Sequence, residues 1–121
     1  MGNTLGNDEN KLLNHKETEV ILYQCDGSIL SSNYSDIEKD EIYNIQLCEN
    51  DLILINNDKI HRYLYQSINS WLTCKNNAIF GFYLKLEKKT YEIILYVDDA
   101  KQISNKLGII THKLVNYYKD L

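Results

Sequence analysis

The sequence predicts a mainly β fold with one C-terminal α-helix: seven antiparallel strands in a two-sheet, partly open barrel that the helix caps. Three observations carry that expectation. Short alternating apolar segments recur from Glu19 to Val97, separated by Asn-, Asp- and Lys-rich turns. Those connections are too short for parallel crossovers, so successive strands pair antiparallel and bend into two layers. From Ala100 the period changes. Ala100, Ile103, Leu107, Ile110, Leu114, Tyr117 and Leu121 step by three and four, which places them on one face of a helix.

Residues 1–18 read as a polar leader with asparagines at 3, 7, 10 and 14, too poor in apolar side chains to fold alone. Leu12 and Leu13 could form a short turn against the domain, which is expected over 19–121. Glu19–Cys25 alternates as a half-buried strand, and Asp26-Gly27 carries the signal of a turn. Ser28 to Asp40 then reads as a long connection. Glu41–Glu49 is a second strand with Tyr43, Ile45 and Leu47 on one face. Asp51–Asn56 is apolar throughout its middle, as a strand covered on both faces would be.

Lys59–Gln66 and Ser67–Cys74 are two strands or one bent strand, with Tyr63 and Tyr65 on a shared face that could expose an aromatic patch. Ala78–Leu86 has the cleanest alternation, with Phe80, Phe82 and Leu84 inward, and Thr90–Val97 sends Tyr91, Ile93, Leu95 and Val97 inward. Asp98 and Asp99 stand where a helix N-cap belongs. Gly108 falls mid-helix, where it suggests a close approach to the sheet.

The 121 residues fit one domain. A net charge of −4 argues against nucleic acid as a partner and against purely electrostatic attachment to anionic lipid. No apolar run approaches the roughly 18 residues of a membrane span. Cys25, Cys48 and Cys74 are odd in number and far apart, which predicts free thiols in a reducing compartment. Cys48 and Cys74 read as small buried apolar residues, and nothing nearby activates a thiolate.

His15, His61 and His112 lie at no zinc-ligand spacing with the cysteines, and His61 reads as an exposed strand residue. The acidic run Asp36, Glu38, Asp40, Glu41 lacks the glycine and ligand pattern of a calcium loop and reads as a solvated loop. No residue constellation points to an enzyme, a metal or a cofactor.

Seven strands followed by an amphipathic helix resembles the pleckstrin-homology (PH) superfold over Glu19 to Leu121. That superfold serves lipid binders, peptide binders and scaffolds alike, so it implies a binding module without naming a ligand. The usual helix tryptophan is missing; the single Trp71 falls in a predicted strand. The first strand–loop–strand offers Lys39 among Asp26, Asp36, Glu38, Asp40 and Glu41, so phosphoinositide binding is not expected there.

The opening MGNTLGNDEN places Gly2 behind the initiator Met, as N-myristoylation requires, with Gly6 where Ser or Thr is usual. In combination with the PH-like pattern, the chain is similar to the inner-membrane-complex sub-compartment proteins of apicomplexan parasites. That resemblance implies a lipidation site at Gly2 and a peripheral position on the cytoplasmic side of a membrane. It also implies a scaffold role with protein partners held there. The family's nearby palmitoylated cysteines have no counterpart before Cys25. The alternative is a soluble PH-like module that binds a peptide or phosphoinositide.

Overall fold

A computed structural model describes residues 20–74 and 76–119. Gly2, Leu12, Leu13, His15 and the rest of the leader lie outside the described residues, as do Leu121 and the Tyr117 side chain.

Seven strands are present among the described residues: β1 (Ile21–Ser32), β2 (Ile42–Cys48), β3 (Asp51–Ile55), β4 (Ile60–Leu64), β5 (Ile68–Thr73), β6 (Ile79–Leu86) and β7 (Lys89–Val97). A 3-10 turn, Tyr65–Ser67, joins β4 to β5, and helix α1 runs Ala100–Lys119. Every pairing is antiparallel. Hydrogen bonding runs unbroken in the order β4-β3-β2-β1-β7-β6-β5, so the two expected layers are halves of one sheet.

Strand β1 makes this possible, and it corrects the sequence reading. Asp26-Gly27 is no turn, and the strand continues through it to Ser32, so the connection expected from Ser28 begins only at Asn33. Residues Ile21 to Ser28 pair with β2, and Gly27 to Ser32 pair with β7. Gly27 therefore faces Tyr43 on one side and Val97 on the other. A Cβ there would stand 3.0 Å from Ile45 Cδ1 and 3.1 Å from the Tyr96 carbonyl oxygen. The glycine supplies room for two strands to converge on a third, a use of glycine that dipeptide turn statistics do not capture.

The halves face each other across a continuous core. Ile45, Leu47, Leu52 and Leu54 from one half meet Phe80, Phe82, Leu84, Ile93 and Leu95 from the other, all without solvent exposure. Tyr63 and Phe82 join the halves with ring centroids 6.0 Å apart. Ile53 is buried on the opposite face of β3, as expected of a strand covered on both sides. Helix α1 adds Ala100, Ile103, Leu107 and Ile110 to the core, with Leu114 packed at its margin. Gly108 stands in open space, so it marks no close approach to the sheet.

The helix start is fixed from two places. Asp99 Oδ1 accepts the Gln102 N–H at 3.2 Å, the expected cap. Asn77, in the β5–β6 turn, reaches the same end: its carbonyl oxygen accepts from the Ala100 N–H at 3.0 Å and its Oδ1 from the Lys101 N–H at 2.6 Å. Its Nδ2 donates to Asp99 Oδ1 at 2.8 Å. Asn77 holds φ at 65°, a left-handed conformation that asparagine tolerates better than most residues.

Candidate partner-binding surface

Two surfaces are candidates: the end of the barrel where the β1–β2, β3–β4 and β6–β7 connections meet, and the β5 edge beside α1.

The loop end satisfies itself. Glu41 does not belong to a solvated acidic loop, although its sequence context suggests one; it anchors the connection. Its Oε1 accepts from the Glu38 N–H and the Tyr43 hydroxyl, each at 2.8 Å, and its Oε2 stands 2.8 Å from Lys59 Nζ. Burial alone would raise its pKa, but the Glu38 amide, Lys59 and Tyr43 together overcome that and hold it at about 2. Lys59 also donates to the Asp36 carbonyl oxygen at 2.7 Å. Beneath lies Ile37, buried under the connection.

His61 is half-buried rather than exposed, and it belongs to a ring cluster. It stacks on Tyr63 at 6.4 Å and meets Tyr43 at 5.7 Å and Tyr34 at 6.3 Å edge-on. Tyr34 also meets Tyr91 at 5.0 Å. Burial lowers the His61 pKa, with Lys59 adding to the effect, so the folded ring favours its neutral form. Tyr63 and Tyr65 are both buried, which removes them from any exposed aromatic patch. Tyr65 sits in the 3-10 turn, outside the strand, and its hydroxyl donates to the Cys48 carbonyl oxygen at 2.6 Å.

A depression of about 450 Å³ remains at this end, lined by Tyr34, Leu86, Tyr91 and the Glu87–Lys89 turn. Lys88 and Lys89 are its cations, and Glu87 stands between them and Leu86. With Lys59 already engaged by Glu41, this end concentrates little positive charge for a polyphosphate.

The β5 edge differs. β5 pairs only with β6 among the described residues, so its outer backbone groups have no strand beside them. Asn69, Ser70 and Thr73 are exposed, and the segment INSWLT carries neither charge nor proline to blunt an edge. The opposite edge strand, β4, carries Arg62, which stands 3.6 Å from Asp51 on β3. A shift in register between Ile68 and Ser70 leaves Ser70–Thr73 as the regular part of the β5 edge. Trp71 ties this strand to the helix, its indole N–H donating to Ser104 Oγ at 2.9 Å. The tryptophan missing from the helix is thus supplied by the sheet. An extended chain laid against Ser70–Thr73 would gain ladder hydrogen bonds on one side and the flank of α1 on the other.

Sequence reasoning named neither Trp71–Ser104 nor the tyrosine–histidine cluster. A usable signal for the cluster was His61 and Tyr63 at strand spacing; the indole pairing left none, because it spans 33 positions.

The described residues contain no grouping of His, Cys, Asp and Glu able to hold a metal. Cys25, Cys48 and Cys74 form no disulfide with one another, Cys48 buried as expected and Cys74 only half-buried. Burial pushes the Cys25 thiol up, and the Tyr23 hydrogen bond only partly offsets this, which works against a reactive thiolate. No described helix is long and apolar enough to cross a membrane.

No protein-family model matches the chain, and no curated protein does. Among solved structures it is similar to the C-terminal phosphotyrosine interaction domain of APBB2 from mouse. The TM-score is 0.62 at 11% sequence identity, over 77% of this chain and 87% of that domain. At that identity the likeness speaks for architecture alone. The chain has a PH-like fold of the kind seen in phosphotyrosine interaction domains: seven antiparallel strands in one open sheet, closed by a C-terminal helix.

Proposed function

We propose that this protein is a non-catalytic scaffold or adaptor that holds a protein partner as an added strand on β5, beside α1. The observation that supports this most is the uncharged, proline-free edge at Ser70–Thr73, open on one side and backed by the Trp71–Ser104 contact. The mouse neighbour is named for phosphotyrosine interaction, which favours a peptide as the partner's binding segment. We further propose a myristoyl tether on Gly2 and a peripheral site on the cytoplasmic side of the apicomplexan inner membrane complex, following the resemblance of MGNTLGNDEN to acylated leaders. One myristoyl chain gives only marginal, reversible attachment, so the partner would supply the second contact.

Panning a displayed peptide library on the full chain tests the binding surface. Selected peptides should shift the amide resonances of β5 and the facing side of α1, and Ser70→Lys should weaken them about tenfold by charging the edge. Shifts confined to other strands would defeat the assignment. Intact mass after co-expression with an N-myristoyltransferase, and fractionation of wild type against Gly2→Ala, test the tether. Equal membrane association in both proteins would remove it.

A second reading, a soluble module for phosphoinositides, is favoured by the Lys88–Lys89 pair beside Tyr34 and Tyr91. Liposomes carrying single phosphoinositides discriminate: headgroup-selective binding abolished by Lys88→Glu with Lys89→Glu would favour it over the peptide reading.

A further inference from the structure

Between α1 and the start of β1 the fold leaves an apolar groove of about 550 Å³. Leu22, Ile109, Ile110 and Leu114 line it, Lys106 and Lys113 border it on the helix, and the Glu49–Asn50 turn closes the other side. Leu22 and Ile109 are about half exposed, at 45% and 54%, although both face this groove. Lys106, Ile109, Ile110, Lys113 and Leu114 recur at helical spacing, so the helix presents a continuous strip here.

We infer that this groove is the docking site of the chain's own leader, with the Leu12–Leu13 pair as its apolar anchor. The chain enters the described fold at Val20, two positions before groove residue Leu22. Leu13 stands nine positions before Leu22, a length of chain that spans up to about 30 Å when extended and reaches any part of the groove. Tethering at that range gives an effective concentration in the millimolar range for a short connection, which makes modest contacts sufficient. Charge agrees. Asp8, Glu9, Glu17 and Glu19 outnumber Lys11 and Lys16 in the leader, and the groove's helix rim is Lys106 and Lys113. The inference needs neither the acyl group nor the β5 partner.

Methyl spectra of the full chain, labelled at Ile and Leu, test it. Leu12→Asp with Leu13→Asp alters the leader only, so the domain stays folded; unchanged Ile93 and Leu95 methyls confirm that. The expected result is a shift of the Leu22, Ile109, Ile110 and Leu114 methyls. Ile109→Asp, at an exposed position, should in turn speed amide exchange across residues 9–16 about fivefold or more by releasing the anchor. Groove methyls that do not respond to the leader substitution overturn the inference. So does a response to protein concentration in place of the leader, which would assign the groove to a second copy.

Discussion

The two ends of this barrel solve opposite problems. At the loop end, Glu41 binds Glu38, Tyr43 and Lys59, while Tyr34, His61 and Tyr63 pack as a ring cluster. Charge and aromatic surface that a ligand could have used are spent on one another. Along β5 and α1 the reverse holds: an open edge, exposed polar side chains and exposed aliphatic residues such as Ile109 and Val115 remain. Surface with its interactions already made is poor material for recognition, and the difference directs attention to the helix side.

The contrast can be broken in graded steps. Phe82→Ala should act on both ends together, because Phe82 touches Tyr63 on one side and Phe80 on the other. A loss of about 3–5 kcal/mol in urea unfolding is expected for removing a buried ring of this size. Asn77→Ala should loosen only the helix start, at a cost of about 2 kcal/mol for the lost capping contacts and the left-handed backbone. Asn77→Gly keeps the backbone conformation and should cost measurably less. Equal losses would show that the side-chain contacts dominate.

Acid separates the ends by a different route. Glu41 titrates near 2 in the folded protein against about 4.5 for a free carboxylate. Its stabilisation is therefore complete above about pH 4.5 and lost as the pH falls toward 2. His61, lowered by burial, also costs stability as the pH drops below its free value near 6.5, because the unfolded chain takes up the proton first. Glu41→Gln should flatten the stability profile between pH 4.5 and 2, by about 1–2 kcal/mol after allowance for solvent screening, with no change in α1 helicity.

The smallest effect lies at the β6–β7 turn, where Glu87 holds φ at 58° in a two-residue connection. Glu87→Gly should raise stability by about 0.5–1 kcal/mol in thermal unfolding by relieving that conformation, and it tests whether the loop end is tuned at its rim as well.

The periodic parts of this structure were readable in the sequence because period reports burial directly. Phe80, Phe82 and Leu84, then Ile93 and Leu95, then Ala100, Ile103, Leu107 and Ile110, fall inward as their spacing demands. What escaped the reading depends on partners far away in the chain. Asp26-Gly27 has the local chemistry of a hairpin, yet its role is set by Val97 and Ile45. His61 looked exposed beside Arg62, and only the approach of Tyr34 and Tyr43 covers it. For the candidate site the limit is sharper, since an open strand edge is defined by which strand is last in the sheet.

Strand β1 also fixes an order of events in time. Its first half can find β2 as soon as both have been made, but its second half waits for β7, whose Val97 pairs with Gly27 across 70 positions of sequence. Until then a nascent chain carries β1 through β4 as an incomplete sheet, with Ser28–Ser32 an unclosed template for strand addition. Contacts this distant place folding toward the slow end for a domain of this size, about milliseconds to seconds. A chain shortened before β7 would keep that template open for good, so truncation is expected to yield aggregates instead of a smaller folded unit.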